Sequence, residues 1–181
     1  AACPVHCRYC FRREFPYAEA SANNRWSELA DALREDPSVT EVILSGGDPL
    51  VLSNARLAWL RARVESISHV RLLRVHTRVP VVTPGRVTRE MVSALKGRLM
   101  VCVVTHFNHA QEITEETVTA ARTLREAGFM LLNQTVLLRG VNDTPEALRE
   151  LFRELVYALG IKPYYLHHCD LTRGLTHFRT G

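Results

Sequence analysis

Glu41-Val42-Ile43-Leu44-Ser45-Gly46-Gly47-Asp48-Pro49 decides how this chain folds. Its short apolar run predicts a strand over residues 41–45, and Gly46-Gly47-Asp48-Pro49 predicts a tight turn after it. Further apolar runs outward from it predict strands over 72–76, 99–105, 129–138 and 164–168. Helical patterns fall around and between them, over 26–35, 55–66, 88–95, 114–127 and 144–159. Thr144 followed by Pro145 and Glu146 is a start signal. Thr114 has Thr117 three residues on and Glu115-Glu116 in the first turn, where acids suit the helix dipole. Thr88 is followed at that place by Met91, so no capping box is expected there. Gly128 and Gly160 stand where C-caps are expected.

Strands alternating with helices imply parallel βα units and an α/β fold. Such strands are expected to be buried on both faces, and Val101-Cys102-Val103-Val104 is a continuous apolar run of that kind. In these folds functional groups gather at the carboxyl ends of the strands. Polar residues recur at those ends: Ser45-Gly46-Gly47-Asp48, His76-Thr77-Arg78, Thr105-His106-Phe107-Asn108-His109 and His167-His168-Cys169-Asp170. Four such clusters on one rim predict an active site.

Composition sets the bounds. At 181 residues one domain, 1–181, is expected. A 46% hydrophobic, 23% charged chain is an ordinary globular one, which excludes disordered and collagen-like classes. No apolar run approaches the roughly 18 residues a membrane span needs. Ala1-Ala2-Cys3 shows no charged region followed by an apolar stretch, so no signal peptide is read there. The net charge of +4 is mild. The arginines are scattered along helices rather than grouped in a stripe, so nucleic acid is not expected as a partner.

Three of the five cysteines lie within eight residues, Cys3-Pro4-Val5-His6-Cys7-Arg8-Tyr9-Cys10. That density reads as metal or cluster ligation rather than a disulfide framework. The spacing CxxxCxxC, with an aromatic before the last Cys, is the radical S-adenosylmethionine (SAM) signature. Three thiolates hold three irons of a 4Fe-4S cluster and leave the fourth open. That iron can chelate the amino and carboxylate groups of SAM, and electron transfer then releases a 5′-deoxyadenosyl radical. Tyr9 is expected near the adenine. The alternative is a Cys₃His zinc site using His6. Cys102 and Cys169 are read as structural.

Gly46 and Gly47 let backbone approach a ligand closely. With Ser45 and Asp48 they match the Gly-Gly-Glu-type element that binds the SAM amino group, with Asp in the Glu place. Arg12 and Arg13 follow the cysteine loop, and a guanidinium is the natural partner of a carboxylate. His76, Arg78, Asn133 and Gln134 lie at or inside strands, where polar groups need partners; cofactor contacts are expected there. Asp170 ends a strand on the rim and is a candidate counter-ion for a substrate amine.

Taken together, these stretches resemble the lysine 2,3-aminomutase family of radical SAM enzymes. The resemblance rests on residues 3–13, 44–50, 76–80, 106–109, 131–143, 163–171 and 177–180. It implies an isomerase that uses a 4Fe-4S cluster, SAM and pyridoxal 5′-phosphate (PLP) to move the 2-amino group of L-lysine to carbon 3, giving β-lysine. It also implies that Arg12 holds the lysine carboxylate and Asp170 the side-chain amine. A flavodoxin- or ferredoxin-type electron donor, a homo-oligomer and a reducing, cytoplasmic location follow as expectations. Two branches are recognisable. The loop from Cys3 through Phe15-Pro16-Tyr17 is more like the one that makes β-lysine for translation elongation factor P. Cys169-Asp170-Leu171 with His177-Phe178-Arg179-Thr180 is more like the one acting on free lysine.

In the family the PLP lysine and a second aspartate lie beyond the matched stretches, and neither Lys96 nor Lys162 sits in the glycine-rich context expected. The expectation is therefore a fragment: a partial (β/α)6 radical SAM barrel, apparently truncated at both ends, inactive by itself as an aminomutase. Two other classes stand beside it. One is a radical SAM enzyme of another kind, such as one that activates a partner protein without PLP; the other is a non-catalytic zinc module.

Overall fold

The computed structural model describes residues 3–15 and 26–181. Ala1-Ala2 and Pro16-Tyr17, used above, lie outside them. In chain order the elements are α1 (Trp26–Glu35), β1 (Glu41–Leu44), α2 (Asn54–Glu65), β2 (Leu72–Thr77), α3 (Val79–Val82), α4 (Arg89–Leu95), β3 (Met100–Thr105), α5 (Glu115–Glu126), β4 (Met130–Leu137), α6 (Pro145–Tyr157) and β5 (Lys162–His168). All five expected strands and five expected helices are present, with ends within two residues. The short α3 was not expected.

The strands form one sheet in the order β1-β2-β3-β4-β5, every neighbouring pair parallel. Parallel neighbours need a crossover, and the helices between strands supply it. Local chemistry sets the helix ends. Thr144 accepts from the Ala147 N–H at 3.2 Å, with Pro145 opening α6. At α5 the box is made by two threonines: the Thr114 N–H donates to Thr117 Oγ1 at 2.8 Å, and the Thr117 N–H returns to Thr114 Oγ1 at 3.4 Å. Gly128 and Gly160 take φ of +82° and +65°, conformations an L side chain rarely adopts.

The sheet's two faces differ. Leu73, Val75, Val101, Val103 and Leu131 pack against Leu57, Val64, Met91, Leu95, Leu124, Leu151 and Leu155 of the helices in the main core. The opposite face carries a small apolar patch of Leu72, Cys102, Val104 and Leu132. Toward the strands' carboxyl ends that face turns polar. This parallel α/β sheet is consistent with a partial radical SAM barrel. One expectation fails. β5 is not buried on both faces: Tyr164, Tyr165 and Leu166 are 42–48% exposed. Among the described residues β5 stands at the edge of the sheet, paired with β4 alone.

Candidate active site at the carboxyl rim

A buried polar belt lies directly beneath the rim. Thr77, Thr105 and Asn133 occupy one register level across β2, β3 and β4, and all are at most 2% exposed. Thr77 and Asn133 bond upward into loops, and Thr105 bonds across to the Leu132 carbonyl and Asn133 Oδ1. Asn133 accepts from the Phe107 N–H at 2.8 Å and donates to the Phe107 carbonyl at 3.0 Å. It also accepts from Thr105 and donates to Thr135. Its amide is thereby fully engaged by the protein, so the cofactor contact expected of Asn133 is corrected to a brace for the loop after β3.

Asp48 plays the same part after β1. Its Oδ1 accepts from Thr77 Oγ1 (2.7 Å) and the Leu50 N–H (3.0 Å). Its Oδ2 accepts from the N–H groups of Arg78 (2.6 Å) and Val79 (3.2 Å). Burial nevertheless pushes this carboxyl above its ordinary pKa, against the pull of those bonds. Ser45 is exposed and Gly47 buried. Gly46 has φ +122°, and a Cβ there would stand 3.8 Å from Arg12 Nη1. Arg12, on the cysteine loop, therefore lies beside the glycine turn.

Cys3, Cys7 and Cys10 are free thiols on a loop closed by the Cys10 N–H donating to the Cys7 carbonyl at 3.1 Å. Burial raises the Cys3 thiol; the Asp48 N–H pulls it the other way, and the charges of Asp48, Cys10 and Cys7 add to the rise. Burial raises Cys7 as well, opposed by the Arg78 guanidinium. The loop thus touches the rim after β1, where the Asp48 N–H reaches Cys3, and the charge of Arg78 after β2 is felt at Cys7. Three free thiols on one eight-residue loop, with Cys3 against the Asp48 backbone, suit an iron–sulfur cluster with an open iron in ligand type and number. His6, the fourth ligand of the zinc alternative, is exposed. Among the described residues no three His, Cys, Asp or Glu side chains converge closely enough to hold a single metal ion.

Arg78 ion-pairs with Glu112, and its guanidinium lies 5.3 Å from the centre of the Tyr9 ring. Its Nε and Nη1 are buried without a hydrogen-bond partner. Glu112 Oε2 accepts from the N–H groups of Asn108 (2.6 Å) and His109 (3.2 Å). On the polar face, His76 and His106 meet edge to face with ring centres 6.2 Å apart. Gln134 Nε2 lies 3.1 Å from His106 Nδ1. Burial, then neighbouring positive charge, pushes His76 down to about 4; burial, then His76 and Arg78, pushes His106 down to about 3. Both imidazoles are neutral near pH 7. His76 Nε2 is buried and has no hydrogen-bond partner. Below them Arg74 pairs with Glu41 at 2.6 Å. Asp170 is exposed just beyond β5, at the far edge of the same rim.

Reading the sequence missed Glu112, Asn108 as a loop anchor, and Thr77. The only available signal was their place within or next to polar clusters at strand ends. Cys102 is buried beside Val104, and Cys169 beside Leu138 and Leu175, as expected of small core residues. Lys162 opens β5 and Lys96 follows α4, so both lysines lie toward the amino ends of the strands, away from the rim.

A family model described as the radical SAM superfamily matches residues 1–153. The chain is 44% identical over 178 residues to L-lysine 2,3-aminomutase of Escherichia coli (strain K12), and 46% over 178 residues to that of Haemophilus influenzae. It is 44% identical over 180 residues to that of Clostridium subterminale. These alignments take in 97–98% of this chain but 52%, 52% and 43% of those proteins. The chain thus spans about half the length of the curated relatives it matches. Since the family match takes in the cysteine loop, the glycine turn and the rim from β1 through β4, this chain belongs to the radical SAM superfamily.

Proposed function

We propose that the chain is the core of a radical SAM aminomutase that moves the 2-amino group of L-lysine to carbon 3, giving β-lysine. The observation that carries the reading is the meeting of three elements at one point of the rim: the three-thiol loop, the Gly46 turn and the Arg12 guanidinium. The similarity to L-lysine 2,3-aminomutases along nearly the whole chain supplies the substrate.

Cys3, Cys7 and Cys10 would hold the 4Fe-4S cluster, which supplies the electron that frees a 5′-deoxyadenosyl radical from SAM. Asp48 keeps the turn of Ser45, Gly46 and Gly47 in place, so that its backbone can take the SAM ammonium group. Arg12 offers a carboxylate a two-pronged donor. Asp170 offers a charge to the side-chain amine. His76 and His106, held neutral by burial, give uncharged hydrogen-bonding groups with Gln134 beside them. The patch of Leu72, Cys102, Val104 and Leu132 keeps water from the floor beneath.

PLP belongs to the proposal for the whole protein. Neither lysine of this chain reaches the rim, so no residue here is assigned to bind it covalently. A flavodoxin- or ferredoxin-type donor, a homo-oligomer and a cytoplasmic location belong to the same proposal. No helix among the described residues is long and apolar enough to cross a membrane.

The test is anaerobic reconstitution, with iron, sulfide and zinc counted in the wild type and in Cys3→Ala, Cys7→Ala and Cys10→Ala. About four irons per chain, with loss of SAM cleavage in every variant, is the expected result. Zinc without iron would overturn it. In the whole protein, with lysine deuterated at carbon 3, SAM and PLP, deuterium should appear in 5′-deoxyadenosine. Label-free product beside active SAM cleavage would remove lysine as the substrate.

A further inference from the structure

Two stretches of the chain are not accounted for by that chemistry: Phe107-Asn108-His109 after β3 and Gly140-Val141-Asn142-Asp143 after β4. Their asparagines are buried, Asn108 at 4% exposure and Asn142 at 0%. Amides buried so deeply are costly unless bonded, and the bonds of these two run in one direction. Asn142 Nδ2 donates to the carbonyls of Asn108 (2.8 Å) and Val136 (2.9 Å), and its Oδ1 accepts from the Leu138 N–H at 2.7 Å. Asn108 Oδ1 accepts from the Val136 N–H at 2.8 Å. These bonds lock the loop after β3 to the end of β4.

One bond leaves that lock. Asn108 Nδ2 donates to Tyr9 Oη at 2.7 Å, across 99 positions of sequence, and reaches the cysteine loop. Glu112, which receives the Asn108 N–H, also holds Arg78 against the Tyr9 ring. Tyr9 is thus gripped at its hydroxyl by Asn108 and at its face by Arg78. Tyr9 also packs against the Leu138, Cys169 and Leu175 cluster, and the Asp48 N–H reaches Cys3; two further ties are looser, Thr172 Oγ1 at 3.5 Å from the Phe11 carbonyl and Arg8 at 5.6 Å from the centre of the Phe178 ring. Only a donor at 108 serves here, because Asn108 Oδ1 is already committed to Val136. The phenol accepts from Asn108 and keeps its own proton.

We propose that Asn108 is a positioning residue: through the Tyr9 hydroxyl it sets where the three-cysteine loop stands over the rim, and Asn142 in turn holds Asn108. The inference rests on the reading of that loop as the cluster and SAM site. It gives the two buried asparagines a task at that site, though neither belongs to the loop.

The experiment compares the reconstituted wild type with Tyr9→Phe, Asn108→Ala and the double variant, reading iron content, melting temperature and SAM affinity by calorimetry. Tyr9→Phe keeps the ring and the Arg78 contact, so iron and melting temperature should hold. SAM affinity should fall about three- to tenfold, the effect of one hydrogen bond. Asn108→Ala should lower the melting temperature, because the Val136 N–H loses its partner, and should lower SAM affinity about as much as Tyr9→Phe. The double variant should bind SAM no more weakly than Asn108→Ala. Binding by Tyr9→Phe within about twofold of wild type, or losses that multiply in the double variant, would overturn the proposal. If Asn108→Ala does not fold, Tyr9→Phe decides alone. A wild type without iron, or with iron and no SAM binding, removes the cluster chemistry itself, and the inference with it, before any variant is made.

Discussion

Thr77 Oγ1 donates to Asp48 Oδ1 at 2.7 Å and so joins the end of β2 to the turn after β1. Both residues are buried, and Asp48 also takes the N–H groups of Leu50, Arg78 and Val79. A carboxylate accepts at both oxygens, whereas an amide accepts at only one. Asp48→Asn should therefore set an NH₂ against N–H or O–H donors and cost about 2–4 kcal/mol. Urea unfolding at pH 7 measures this, and a change under about 0.5 kcal/mol would contradict the brace.

The Gly46 turn makes a sharper contrast. Gly46→Ala meets a φ of +122°, which a side chain rarely adopts, with Arg12 at 3.8 Å. Gly85→Ala meets nothing within 4 Å and has no positive φ. The first should cost about 1–3 kcal/mol and the second about 0.5 kcal/mol or less. Equal effects in thermal melts would show that the turn is not conformationally demanding.

Glu112 and Arg78 form a largely buried ion pair, side chains 23% and 16% exposed. Glu112→Gln leaves the guanidinium without its charge partner and should destabilise by about 2 kcal/mol or more. In the double variant Glu112→Gln/Arg78→Met no buried charge remains unpaired, so part of that loss should return. A double variant as unstable as the sum of its parts would deny the coupling.

His76 and His106 govern the acid side of stability. Their folded pKa values, about 4 and about 3, lie below the ordinary 6.5. The unfolded chain therefore takes up protons first as pH falls. Stability is whole above about 6.5 and declines as pH falls toward 4 for His76 and 3 for His106. Replacing His106 by Asn should flatten that decline between pH 6.5 and 4. Urea midpoints at pH 7 and pH 5 test it: the same drop in wild type and variant would count against burial as the cause.

The order of elements was legible because each strand of this sheet is a short apolar run and each crossover has its own periodicity and caps. The cysteine loop was legible because its ligands are close in sequence, and the glycine turn because it directly follows a strand. Asp48 was visible as a polar residue after a strand and Asn133 as one inside a strand, but reading along the chain did not show that their side chains are taken up by protein groups. The exposure of β5 was not legible either: its run of Tyr164-Tyr165-Leu166 reads like a buried strand, and only the strand order shows it at an edge.

By itself, the sequence determined the parallel α/β plan, the three thiols and the rim on which polar groups collect. The tertiary structure alone decided which of those groups face one another. Tyr9 and Asn108, Arg78 and Glu112, and Asp48 and Thr77 lie 99, 34 and 29 positions apart. No local propensity records such partners. They meet because parallel strands in register bring successive βα loops to the same end of the sheet, where buried polar groups must find their bonds in one another.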